Sequence, residues 1–157
     1  MKVIDLSKSI AESMDCVFYQ GYLNELNIDF DQGLIDVNQW IFGFVSPPSV
    51  EDETGEAGDI TTTYPYTAYI VKRLPNSTNE YRTKDVQPTV DEALLKARYF
   101  TRKFIENDDV VIDKSVKVKY PAIYGQFDLH LFGVEIDADF LVNEGLTGCE
   151  YLTSINQ

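Results

Sequence analysis

The sequence predicts an α+β fold: a mostly antiparallel twisted sheet with two helices packed on one face. Three observations carry this reading. Two segments repeat apolar residues at steps of three and four, several others alternate or run as β-branched and aromatic stretches, and the order is helix, strands, helix, strands. Ten Tyr and nine Phe strengthen the strand reading. At 157 residues the chain reads as a single domain over 1–157 with a long acidic hairpin loop at 46–60. A domain of this length buries roughly 70% of its unfolded surface, enough for a core without metals or disulfides.

Val3, Leu6, Ile10, Met14 and Val17 form one apolar stripe, which predicts a helix from about Val3 to Phe18, stopping near Gly21. Asp5, Ser7, Lys8, Glu12 and Asp15 fall largely off that stripe. In residues 22–33, Leu26, Ile28 and Phe30 alternate with Asn27 and Asp29, which reads as a short strand closed by an Asp31-Gln32-Gly33 turn. QWIFGFV is a strand whose Gly43 implies a bulge or a close neighbour. Residues 46–59, rich in Pro, Gly and carboxylates, read as a mobile surface loop. A second strand, about Thr61 to Leu74, completes a long-looped hairpin, with Pro65 placing its first half on an edge.

Asn76-Ser77-Thr78 matches the glycosylation acceptor pattern and reads as coincidence in a chain without a secretory signal. Thr89-Val90-Asp91-Glu92 is a capping box that predicts a helix from Thr89 to Asn107. Its stripe of Val90, Ala93, Leu94, Ala97, Phe100, Thr101, Phe104 and Ile105 faces the core, and its acids precede its bases as the helix dipole favours. VVIDKSVKVKYPAIYG reads as an alternating strand. QFDLHLFGVEIDADFLV changes phase near Gly133 and reads best as one strand bent by a bulge there, with a tight turn between two strands as the second reading, and the tail after Leu141 reads as peripheral.

The formal net charge is -13. Phosphate affinity comes from Lys and Arg, so this balance argues against an electrostatic DNA or RNA binder and against docking on an anionic membrane. No apolar run approaches the ~20 residues of a membrane span, and the first residues lack a signal-peptide core. Cys16 and Cys149 form no C-x-x-C pair and read as two buried or half-buried thiols. His130 is the one histidine, so a two-histidine mechanism is excluded within one chain. It reads as a packed strand residue between Leu129 and Leu131.

Glu51, Asp52, Glu53, Glu56 and Asp59 crowd the acidic loop but lack the order of an EF-hand, so no metal is expected there. Asp137 and Asp139 share one side of a strand with Glu135 in line, which reads as an acidic solvent face. No Walker loop, dinucleotide glycine pattern or G-x-S-x-G occurs, so the sequence offers no catalytic residues and no cofactor site. Lys96, Arg98, Arg102 and Lys103 concentrate base on one helix. The plain reading is a solvated outer face; the sharper one is a patch that meets acids of a neighbouring copy in a head-to-tail contact.

VIDLSKSIAESM, WIFGFV with TAYIVKRL, TVDEALLKARYFTRKFIE and QFDLHLFGVEIDADFLV are spread along most of the chain's length. In size, order and acidic balance the chain resembles the tail terminator and tail-completion (head–tail joining) proteins of long-tailed bacteriophages. The resemblance implies a structural virion protein and not an enzyme. It implies a homohexameric ring between tail tube and head-completion proteins, assembled in the host bacterial cytoplasm, with DNA passing through its hole without specific binding. On that expectation Lys96, Arg98, Arg102 and Lys103 are subunit-interface candidates. Glu51, Asp52, Glu53, Glu56, Asp59, Asp137 and Asp139 are candidates for the lumen or a partner, because carboxylates lining a channel repel the phosphate backbone. Two other classes stand beside it: an acidic DNA mimic that blocks a nucleic-acid enzyme, and a small ligand-binding α+β domain.

Overall fold

The computed structural model describes residues 2–33, 38–74, 83–125 and 130–143. Their elements are α1 (Lys2–Ser13), β1 (Cys16–Gln20), α2 (Leu23–Asp31), β2 (Trp40–Val45), β3 (Glu51–Thr54), β4 (Ile60–Arg73), α3 (Thr83–Ile105), β5 (Val118–Lys119), β6 (Ala122–Tyr124) and β7 (Leu131–Val142). The fold is α+β. Strand order is β1-β2-β4-β7-β5, with β3 on β4 and β6 on β7; β1 and β2 are parallel and the other pairs antiparallel.

β4 and β7 form the spine, paired without interruption from Thr62↔Val142 to Arg73↔Leu131. Partners across antiparallel strands share a face, so this register sorts every side chain. Phe42, Phe44, Tyr64, Tyr66, Ala68, Ile70 and the even-numbered residues of β7 pack under α1 and α3. Ile41, Tyr69, Val71 and Leu131 point the other way, under α2. Two helices therefore lie on one face as expected, and a third covers part of the opposite face.

That third helix corrects the strand reading of residues 22–33. Leu26 and Phe30, one helical turn apart, are buried, while Ile28 is exposed. Three alternating apolar residues satisfy either period when only two of them are used. The Glu25 carboxylate accepts from the Tyr22 N–H at 2.6 Å and caps the first turn. α1 also ends earlier than the stripe implies. Asp15 adopts a left-handed φ of 58°, a conformation Asp tolerates, and CVFYQ leaves the helix to pair with β2. Ser7, expected off the stripe, is buried: its hydroxyl donates to the Val3 carbonyl and shares a hydrogen bond with the Tyr66 hydroxyl. Gly21 follows β1 and donates its N–H to the Phe44 carbonyl, so it is not a helix stop.

The expected loop 46–59 contains β3, which pairs with Ile60–Thr63 of β4. The β-branched Thr61–Thr63 offers it a strand partner, and all four β3 residues keep their side chains in water. Pro65 lies in an interior strand, but between the end of the β2 pairing at Thr67 and the start of the β3 pairing at Thr63, so one side of it is a local edge. α3 begins at Thr83, upstream of the capping box, with Pro88 inside it. Buried Val86 extends the stripe backward, and its burial, roughly 1.5–3 kcal/mol, offsets the ~3 kcal/mol of an interior proline. The helix closes at Ile105, and the Asn107 side chain accepts the N–H groups of Asp109 and Val110.

Residues 112–117 are irregular; Val118–Lys119 and Ala122–Tyr124 form short strands on β7 and Val111 an isolated bridge to it, while Val116, Val118 and Tyr120 pack on the core. No bulge occurs at Gly133. A Cβ there would overlap the Ile70 carbonyl oxygen, so the glycine serves close approach of two strands. The change of phase arises because Leu131 packs under α2 and the following apolar residues under α1 and α3. His130 stands just before β7 at a φ of 50°, outside the strand. Val142 is buried and bridged to Val111, so the chain is still part of the core there. Phe127, Leu129, the Asn76 acceptor pattern, Cys149 and the tail from 144 lie outside the described residues.

Phe104 is fully buried among Tyr66, Phe100 and Phe140. Phe104→Ala should cost about 3–5 kcal/mol in urea unfolding. A loss under about 1 kcal/mol would place the side chain outside the core.

Candidate functional site

Where α2 stops covering the sheet, a groove of about 810 Å³ opens, lined by Tyr22, Leu23, Asn27 and Ile28 on one side and Val45, Thr67, Tyr69, Ile123 and Glu135 on the other. Local chemistry builds it. Tyr69 lies across Gly43 on the neighbouring strand, where a Cβ would overlap the tyrosine ring, and its hydroxyl donates to the Gly21 carbonyl at 2.8 Å. The close neighbour expected at Gly43 is thus the Tyr69 ring. Tyr19 holds α2 down by donating to Asp29 at 2.6 Å, and Arg73 lies over the Phe30 ring. Burial holds the Tyr69 phenol well above its ordinary range; Tyr19 is raised first by burial and then by its bond to Asp29, so both remain neutral hydrogen-bonding groups.

Beyond the groove the same sheet face is open and acidic. Register places Glu135, Asp137 and Asp139 of β7 and Glu51 and Glu53 of β3 on this one face, with Lys119 of β5 directly across from Asp137. Burial at the groove raises the Glu135 carboxyl above the ordinary range, and the Asp137 charge raises it further. Asp52 points the other way and accepts from the Thr62 hydroxyl at 2.6 Å, while Glu56 and Asp59 are exposed in the tip beyond β3. Among the described residues no group of three His, Cys, Asp or Glu could hold a metal ion.

The four candidate interface bases of α3 differ in what they touch. Lys96 is part-buried: its ammonium donates to the Met14 carbonyl at 3.1 Å and lies over the Trp40 ring, which ties α3 to the end of α1. Lys103 lies over Tyr99 and, with Arg102, pairs with Glu106 on the surface. Arg98 is exposed. Cys16 is buried, and burial pushes its thiol up to about 11, so it is inert as a nucleophile at neutral pH. Sequence reasoning placed Glu135 in line with its neighbours but missed the groove, because the helix that makes one wall read as a strand.

Two outcomes follow. Gly43→Ala should displace the Tyr69 ring and destabilise by about 1–3 kcal/mol in denaturant unfolding, as overpacking does. Glu135 binds its proton more tightly folded than unfolded, so its charge opposes folding at neutral pH and this penalty vanishes on acidification. Glu135→Gln should therefore raise the urea midpoint at pH ~7, with the gain disappearing below pH ~4. An equal gain at both pH values would remove the carboxylate as its cause. Against known proteins, no family model matches the chain, no curated protein matches its sequence and no solved structure matches its fold.

Proposed function

We propose that the chain is a structural assembly protein, a subunit of a closed ring of the tail-terminator kind, and that its acidic sheet face lines the hole through which DNA passes. The observation that carries this reading is the gathering of Glu51, Glu53, Asp137 and Asp139 on one open face, from strands far apart in sequence. Such a face repels phosphate, which a channel for DNA needs. The four exposed residues of β3 extend the hairpin as an acidic arm, suited to reach into a lumen or toward the next component of the tail. Residues two apart on a strand stand roughly 6.6–6.8 Å from each other, so the charges form a regular array.

The same array favours an acidic DNA mimic more than a single acidic loop would, and the groove favours a small ligand-binding domain. Mass separates them. A ring requires several copies, whereas the other two classes are served by one or two.

Light scattering should give a mass of several subunits, and electron microscopy a ring with a central hole. The parent ring should not retain duplex DNA. A ring of Glu51→Lys, Glu53→Lys and Asp139→Lys should retain it at low salt and release it as salt rises. A parent that stays monomeric from micromolar to millimolar concentration would overturn the ring.

A further inference from the structure

We infer, on the basis of the ring reading above, that subunits join by seating the outer ridge of α3 of one copy in the groove between α2 and the open sheet of the next. The inward stripe of α3 at Val86, Val90, Ala93, Ala97, Phe100 and Phe104 is spent on the sheet. This leaves Leu95, Arg98, Tyr99 and Arg102 turned away from it. Leu95 is 66% exposed and Tyr99 45%, an apolar pair one turn apart on the outer side of the helix. Arg98 and Arg102, also one turn apart, run beside them.

The groove is the complement of that ridge. Its rim carries Tyr22 and Ile28, which are 59% and 52% exposed, and its wall carries Glu135 with Asp137 next on the same strand face. Apolar side chains meet apolar side chains, and two guanidinium groups meet two carboxylates. Burial and repulsion already disfavour the Glu135 carboxylate, so an arriving cation relieves a cost that the isolated subunit carries. The surface pair of Arg102 with Glu106 is solvent-exposed on both sides and is readily exchanged. Lys96 takes no part, because its ammonium is committed to Met14 and Trp40.

Charge selects a second copy as the occupant. A subunit of net charge -13 repels its own kind, and this contact sets the exposed bases of one copy against acids of the next. Ridge and groove lie on opposite faces of one sheet, so the contact is head-to-tail. Such a contact closes into a ring when its rotation divides a full turn; it takes Asp137 from the open acidic face into the contact and leaves Glu51, Glu53 and Asp139 to line the hole.

Sedimentation at low salt tests the contact. Arg98→Glu with Arg102→Glu, and separately Glu135→Lys with Asp137→Lys, should each weaken self-association by about tenfold or more. Mixing the two variants in equal amounts should restore the parent mass, because each then offers the charge the other lacks. Leu95→Ser with Tyr99→Ser changes only exposed side chains and cannot unfold the core; it should weaken association at low and high salt alike. A parent oligomer whose mass none of these variants alters would overturn the ridge-and-groove contact and leave the ring standing. Failure of the mixed variants to reassemble would separate ridge from groove and likewise overturn it. A monomeric parent that binds a synthetic basic amphipathic helix in the groove would overturn both the contact and the ring, and assign the groove to another protein.

Discussion

Residues 62–73 and 131–142 pair in one unbroken antiparallel register, and the rest of the molecule is arranged by that pairing. Each strand has two faces, so a long register commits a dozen side chains of each strand at once; a slip of one residue would exchange every one of them. On the even face of β7 the commitment is aromatic. Tyr66, Phe100, Phe104 and Phe140 meet with ring centroids 4.8–5.8 Å apart, which docks α3 on the spine. The hydrogen bond between the buried hydroxyls of Ser7 and Tyr66 docks α1 on the same surface, while the Ser7 hydroxyl also donates to the Val3 carbonyl.

The odd face is divided, and the division makes the site. One half is apolar and lies under α2; the other is threonine, proline and carboxylate and faces water. The boundary falls at Tyr69, whose ring occupies the space a side chain at Gly43 would need and whose hydroxyl reaches the chain beyond β1. A short helix covers only what its buried Leu26 and Phe30 can reach, so the sheet emerges beside it and leaves a groove. Glu135 sits on that line, half in each environment, which is why its carboxylate has a raised proton affinity.

The bases of α3 illustrate how one helix serves two tasks. Lys96 turns inward along the seam with α1, where a carbonyl at a helix end needs a donor and the Trp40 ring offers an electron-rich face. Arg98 and Arg102 turn outward beside Leu95 and Tyr99. An exposed apolar pair framed by guanidinium groups is the composition of a protein contact more than of a solvated helix face.

The fold class, the β2–β4 hairpin, β7 and the core stripe of α3 are legible in the amino-acid order, because each rests on a repeating period or an apolar, β-branched or aromatic run within one segment. Phe100 and Phe104 are readable as core from spacing alone, and the close neighbour of Gly43 from the glycine itself. Tertiary structure decided the rest. Leu26, Ile28 and Phe30 are too few to choose between helix and strand, and the chain took the helix because half of the odd sheet face needed cover. CVFYQ became a strand because β2 offered an edge, and β3 formed because Thr61–Thr63 offered another. The single acidic face joins β3 to β7, residues roughly 90 positions apart, and such a juxtaposition exists only once the register across β4 is set.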